Sequence, residues 1–205
     1  MGGIMNKKIG MYSAIVTLIG VIGFAVSMLV GKDALSYLSS VIISLAFVPM
    51  ICSFSSLSIK ENKAASYAAI AFSSIYVVFV DLVYFAQLTT IRLSQLSTEA
   101  LAILDYKKLG SLFFNYDLLG YAFMALSTFF IGLTIEVFNK RDKWLKALLL
   151  IHGVFALSCI IMPILGVFNT ASKGSNTMGV LALEFWCAYF TPICVLAYQY
   201  FKKNQ

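Results

Sequence analysis

The sequence predicts an all-α, polytopic membrane protein, a bundle of six transmembrane helices with both termini cytoplasmic. Three observations carry that prediction. Sixty per cent of the 205 residues are hydrophobic and only 12% are charged, roughly half the charged share of a soluble domain. The charges gather between six apolar runs, each close to the ~20 residues a helix needs to cross a bilayer core. The runs lack strand alternation and are too long for barrel strands, which leaves helices as the spanning structure. A soluble globule of this size cannot hide so much apolar surface. A soluble enzyme and a free-standing nucleic-acid binder are thereby excluded, and no nucleic-acid partner is expected.

The spans form one domain over residues 1–205. They run from Ile9 to Val30, Tyr37 to Ser58, Ala65 to Leu88, Leu112 to Phe138, Leu145 to Phe168 and Gly179 to Phe201. The first follows Lys7 and Lys8 and exceeds the roughly 7–15-residue core of a secretion signal, so an uncleaved helix is expected. Orientation follows from the basic residues. With the N-terminus inside, Lys7, Lys8, Lys60, Lys63, Lys140, Arg141, Lys143, Lys146, Lys202 and Lys203 face the cytoplasm. Lys32, Arg92, Lys107, Lys108 and Lys173 then face out. That ten-to-five bias suits the inner membrane of a bacterium. The net charge of +6 reads as anchoring beside anionic lipid.

Most connections are short, which makes sequential spans antiparallel neighbours. The exception is Thr89–Gly110, where Leu93, Leu96, Ala100, Leu101 and Leu104 share one helical stripe. It reads either as an interfacial helix on the outer leaflet or as a lid over a cavity. Cys52, Cys159, Cys187 and Cys194 lie inside apolar runs without close pairing, which points to buried free thiols.

A charge at mid-bilayer costs at least about 2.5–3.5 kcal/mol, so acids inside the spans are functional candidates. Glu136 sits four residues before Lys140, and an interfacial ion pair is expected there. Asp81, Asp117 and Glu184 instead all fall in the outer half of their helices at similar depth. Each heads a polar stripe: Asp81 with Ser74 and Tyr84, Asp117 with Tyr121 and Thr128, Glu184 with Cys187 and Thr191. Three walls of one outward-facing acidic cavity are the expected result, with Asp81, Asp117, Glu184, Tyr84, Tyr121 and Trp186 binding ligand. Headgroup-region pairing with Lys107, Lys108, Lys173 or Arg92 is the plainer account of Asp117 and Glu184. His152, the sole histidine, reads as a satisfied interior side chain or as a proton relay.

Catalytic signatures are missing. Tyr116-Asp117 supplies half of an intramembrane aspartyl-protease pattern, but Val-Phe-Val before Asp81 breaks the other half. No nucleophile elbow, zinc helix or phosphate loop occurs, so no catalytic residue, metal or cofactor is assigned.

The stretch Tyr116-Asp-Leu-Leu-Gly-Tyr-Ala-Phe, then Gly132 and the basic turn Arg141-Asp-Lys-Trp-Leu, resembles small six-helix bacterial membrane proteins grouped as families of unknown function. The resemblance covers the fourth and fifth helices and implies a fold without carrying over any active residue. In size and helix count the chain is also similar to the substrate-binding subunits of vitamin-type energy-coupling transporters, departing from them at Ser13, Ala14 and Thr17.

The leading expectation is a membrane protein that binds or transports a small ligand, cationic or proton-coupled. An interaction or regulatory subunit that meets a partner helix is the alternative, and a membrane-embedded enzyme the third. Expected partners are the lipid bilayer, a small-molecule or cation ligand, and either a membrane subunit or a second copy.

Overall fold

The computed structural model describes residues 2–168 and 175–203, with side chains at all of these except 2, 3, 60 and 175–179. Its regular elements are helical: α1 (Gly2–Leu29), α2 (Asp33–Leu57), α3 (Lys63–Ala86), α4 (Thr98–Leu104), α5 (Leu112–Thr134), α6 (Lys140–His152), α7 (Val154–Ile164) and α8 (Ser175–Lys203). A 3-10 turn at Lys60–Asn62 precedes α3, and a π turn at Gln87–Ile91 prolongs it. Six stretches among the described residues are long and apolar enough to cross a membrane, with α6 and α7 together making the fifth. The chain is a multi-pass integral membrane protein. An even number of crossings puts Gly2 and Lys203 at one end, the terminal end, and α4 at the other.

Local chemistry sets the boundaries. Ser111 caps α5 by accepting the Phe114 amide at 3.1 Å. Asn139 caps α6 by accepting the amides of Arg141 and Asp142 at 2.8 and 3.0 Å. That cap moves the start of the fifth span upstream of Leu145 and takes the basic turn into the helix. The fourth span correspondingly stops at Thr134 rather than Phe138. Glu136 therefore sits in non-helical chain, where the i,i+4 relation to Lys140 does not exist. The described ion pairs are Lys107–Asp33 and Lys203–Asp142. Asp142 also accepts the Phe138 amide at 3.0 Å, tying the α5–α6 connection to the end of α8.

The spans close into a sequential ring. α1 packs on α2, α2 on α3, α3 on α5, α5 on α6 and α7, α6 on α8, and α8 back on α1. Small residues bring the backbones together, the usual device where lipid removes the hydrophobic drive between helices. A Cβ on Gly20 of α1 would lie 2.7 Å from Ile43 Cγ1 of α2. One on Gly120 of α5 would lie 3.0 Å from Val80 Cγ2 of α3. Gly153 separates α6 from α7, and a Cβ there would lie 2.8 Å from Phe129 of α5. Ile19, Val26, Leu45, Phe85 and Leu157 cover the exposed rim of the ring, as lipid-facing positions do.

The Thr89–Gly110 connection does not form one interfacial helix. α3 runs on through the π turn at Ile91 and two further helical residues, and after a break at 94–97 only Thr98–Leu104 is helical before α5. Gln87 is buried and its Nε2 donates to the Leu104 carbonyl at 2.8 Å, pinning α4 against the end of α3. Residues 105–111 then fold back toward α2. Lys173, counted among the outward charges, lies outside the described residues.

Candidate functional site

The interior of the ring is filled with rings. Tyr76 of α3, Tyr121 of α5, Trp186 and Phe190 of α8, and Phe47 of α2 form a closed circuit. Successive centroids lie 5.9, 5.2, 5.1, 6.3 and 5.4 Å apart. Closer to the α4 end stands a second group: Tyr37 of α2, Tyr84 of α3 and Tyr106 of the 105–111 loop, with centroids 5.3–6.0 Å apart. Aromatic groups at these spacings add attraction beyond the area they bury.

Asp117 lies between the two layers. It is one turn toward the α4 end from Tyr121 and is 3% exposed. The Tyr84 hydroxyl is directed at its carboxyl, at a geometry short of a full hydrogen bond, and Tyr76, Tyr106 and Tyr121 are within its electrostatic reach. Asp117 Oδ1 and the hydroxyls of Tyr76, Tyr84 and Tyr121 are all buried without a hydrogen-bond partner. Neither described ion pair involves Asp117. The result is a thin polar layer closed by aromatic rings on both sides. Tyr106, outside the spans, has its phenol pushed above the ordinary tyrosine range, first by burial and then by Asp117.

The other two acids stand at nearby levels. The contacts Phe79–Tyr116 and Val80–Gly120 put Asp81 level with Asp117 across the α3–α5 interface. Asp81 is half-buried, and the hydroxyl of Ser44 on α2, buried between the helices, is bonded to it. Since α3 continues to Ile91, Asp81 is ten residues from the helix end, ~15 Å and so deeper than the run of apolar residues implied. Tyr76 is in electrostatic reach of both Asp81 and Asp117. Glu184, half a turn before Trp186, has a buried, unpartnered Oε1 and acts electrostatically on Cys187. The ring thus sets the three acids at comparable depth. Their surroundings differ: Asp81 is bonded to the Ser44 hydroxyl, while Asp117 Oδ1 and Glu184 Oε1 are buried without a hydrogen-bond partner.

His152 is 1% exposed and fully engaged. Trp186 Nε1 donates to its Nε2 at 3.1 Å. An indole N–H only donates, so Nε2 accepts and Nδ1 carries the proton of the neutral ring. Nδ1 lies 2.7 Å from Thr128 Oγ1, which donates onward to the Ala125 carbonyl at 2.8 Å. Trp186, Tyr121 and His152 therefore belong to one assembly that locks α8, α6 and α5 together.

Two cavities open at the α4 end. One of about 450 Å³ lies between the α1–α2 corner, the end of α3 and the 105–107 segment. The other, about 240 Å³, is walled by Phe24, Tyr37, Tyr106 and Phe114. Asp33, Tyr37 and Lys107 line both. Neither is lined by Asp81, Asp117 or Glu184. Tyr37, which lines both cavities, and Tyr106, which lines the smaller one, each pack against Tyr84. No cluster of three or more metal-ligating side chains occurs among the described residues. No family model, no curated protein and no solved structure matches the chain.

Proposed function

We propose that this membrane protein binds, and passes toward its outer face, a monovalent cation or a proton held at Asp117. One observation carries the reading: a carboxyl 3% exposed, with an unpartnered oxygen, in a layer that also holds the unpartnered hydroxyls of Tyr76, Tyr84 and Tyr121. Buried polar groups in proteins are nearly always satisfied, and each exception calls for an explanation. A buried carboxyl without a basic partner is neutralised by a proton or by a bound cation. Oxygen-only donors and a single negative charge favour a hard monovalent ion over a transition metal. Asp81 and Glu184, at neighbouring levels, are the next acids on the same path. The ten-to-five basic bias supports an orientation in which the α4 end faces out, so the two cavities would be the entrance.

The test uses purified protein in detergent, with thermal unfolding followed in sodium, potassium and N-methylglucamine chloride and over a pH series. Saturation at 100 times Kd stabilises by about 2.7 kcal/mol, roughly 5–10 °C in melting temperature for a chain of this length. The wild type is expected to respond to one cation or to pH, and Asp117→Asn to remain folded with that response gone. An Asp117→Asn protein whose melting temperature follows salt and pH as the wild type does would defeat the reading.

A further inference from the structure

The smaller cavity carries chemistry that the Asp117 layer does not use. Four aromatic rings, Phe24, Tyr37, Tyr106 and Phe114, wall a space of about 240 Å³, and Asp33 is the carboxylate on its rim. Tyr37 and Tyr106 pack edge to face at 88°, which fixes both rings in the cavity wall. A carboxylate beside several aromatic walls is the arrangement that recognises an alkylammonium group, through ring quadrupoles and one opposite charge.

An ammonium already occupies the acid. Lys107 reaches across from the 105–111 loop and forms an ion pair with Asp33, and both side chains remain about half exposed, at 55% and 50%. Lys107 is next in sequence to Tyr106 and lines the same cavity. Its ammonium is thus a tethered cation at the carboxylate an incoming one would use. An exposed pair of this kind is weakly held, so a ligand that also fills the aromatic space can displace it. The loop is otherwise anchored independently. The Asp105 carboxylate accepts the Lys107 amide at 2.9 Å, and the Ser111 hydroxyl donates to the Asp105 carbonyl at 2.8 Å. Freeing the lysine side chain therefore leaves the Tyr106 wall standing.

We propose that the cavity between Tyr37, Tyr106, Phe24 and Phe114 is a binding site for a small alkylammonium group at Asp33, with the Lys107 ammonium as its intramolecular competitor. The site is separate from Asp117 and stands whether or not that residue binds a cation.

The experiment titrates purified protein with tetramethylammonium chloride at constant ionic strength, against sodium chloride, by calorimetry. Lys107→Gln is expected to bind tetramethylammonium more tightly than the wild type, by on the order of tenfold. Asp33→Asn is expected to lose binding. A Tyr37→Leu, Tyr106→Leu double variant is expected to weaken it several-fold, and Asp117→Asn to leave it unchanged. Asp33 and Lys107 are half exposed, so melting temperatures near that of the wild type verify folding. Lys107→Gln binding no tighter than the wild type would overturn the proposal, as would Asp33→Asn binding equally well. Loss of binding in Asp117→Asn alone would assign tetramethylammonium to the Asp117 layer and overturn it too.

Discussion

At the scale of single residues, what distinguishes the interior polar groups is whether a partner completes them. His152 has both ring nitrogens engaged, and the donor-only indole of Trp186 fixes which one carries the proton. Trp186→Phe keeps an aromatic group against Tyr121 and Phe190 but removes the donor, leaving Nε2 buried and unpaired. That substitution should cost about 1–3 kcal/mol of stability, read as a lowered midpoint in denaturant or thermal unfolding. Thr128→Val should cost a similar amount by orphaning Nδ1. Asp117 is the opposite case, since its unpaired oxygen is already present in the native fold. The acids themselves were legible in the sequence, because charge inside an apolar run stands out. Their surroundings were not. Ser44, which holds Asp81, is one of many serines on α2, and nothing local marks the one that meets an acid on another helix. Tyr106 lies in a polar loop whose return onto Tyr37 and Tyr84 depends on the chain beyond it.

At the scale of elements, the six spans followed from apolar length alone, but their ends followed from caps that length does not reveal. Asn139 starts α6 early because its side chain takes two amides that would otherwise be orphaned. The cap also explains why Glu136 and Lys140 never share a helical face. Gly153, at the junction of α6 and α7, has a packing role. Its missing Cβ lets the fifth span rest on Phe129, with the Phe129 Cβ and Cδ2 each 2.8 Å from where that atom would be. The Phe129 Cβ is fixed to the backbone of α5 and cannot swing aside. Gly153→Ala should therefore push α5 away from the α6–α7 hinge at a cost of about 1–3 kcal/mol. The expected sign is a lower melting temperature with helical content retained by circular dichroism. Unchanged stability would mean that the hinge gives way more easily than the packing implies.

At the scale of the whole molecule, ring closure is what turns scattered residues into layers. A sequence of apolar runs predicts that neighbours in the chain are neighbours in space, yet it does not say that α8 returns to α1, because lipid-facing and inward faces are both apolar. Closure brings α2, α3, α5 and α8 around one aromatic circuit with Asp117 on its α4 side. Which membrane face that side occupies decides whether the two cavities are an entrance from outside or an exit to the cytoplasm, and here the basic residues bear directly. The connection from Ile135 to Asn139 and the first turns of α6 sit at the terminal end, with Lys143 exposed there. Lys108 lies exposed at the α4 end. In a variant whose four native cysteines are replaced, Lys108→Cys should react in intact cells with a membrane-impermeant maleimide. Lys143→Cys should react only after the membrane is opened. Reaction of Lys143→Cys in intact cells with protection of Lys108→Cys would reverse the orientation. The tyrosine-lined cavities would then face the cytoplasm, and the ammonium site and the Asp117 layer would take their ligands from inside.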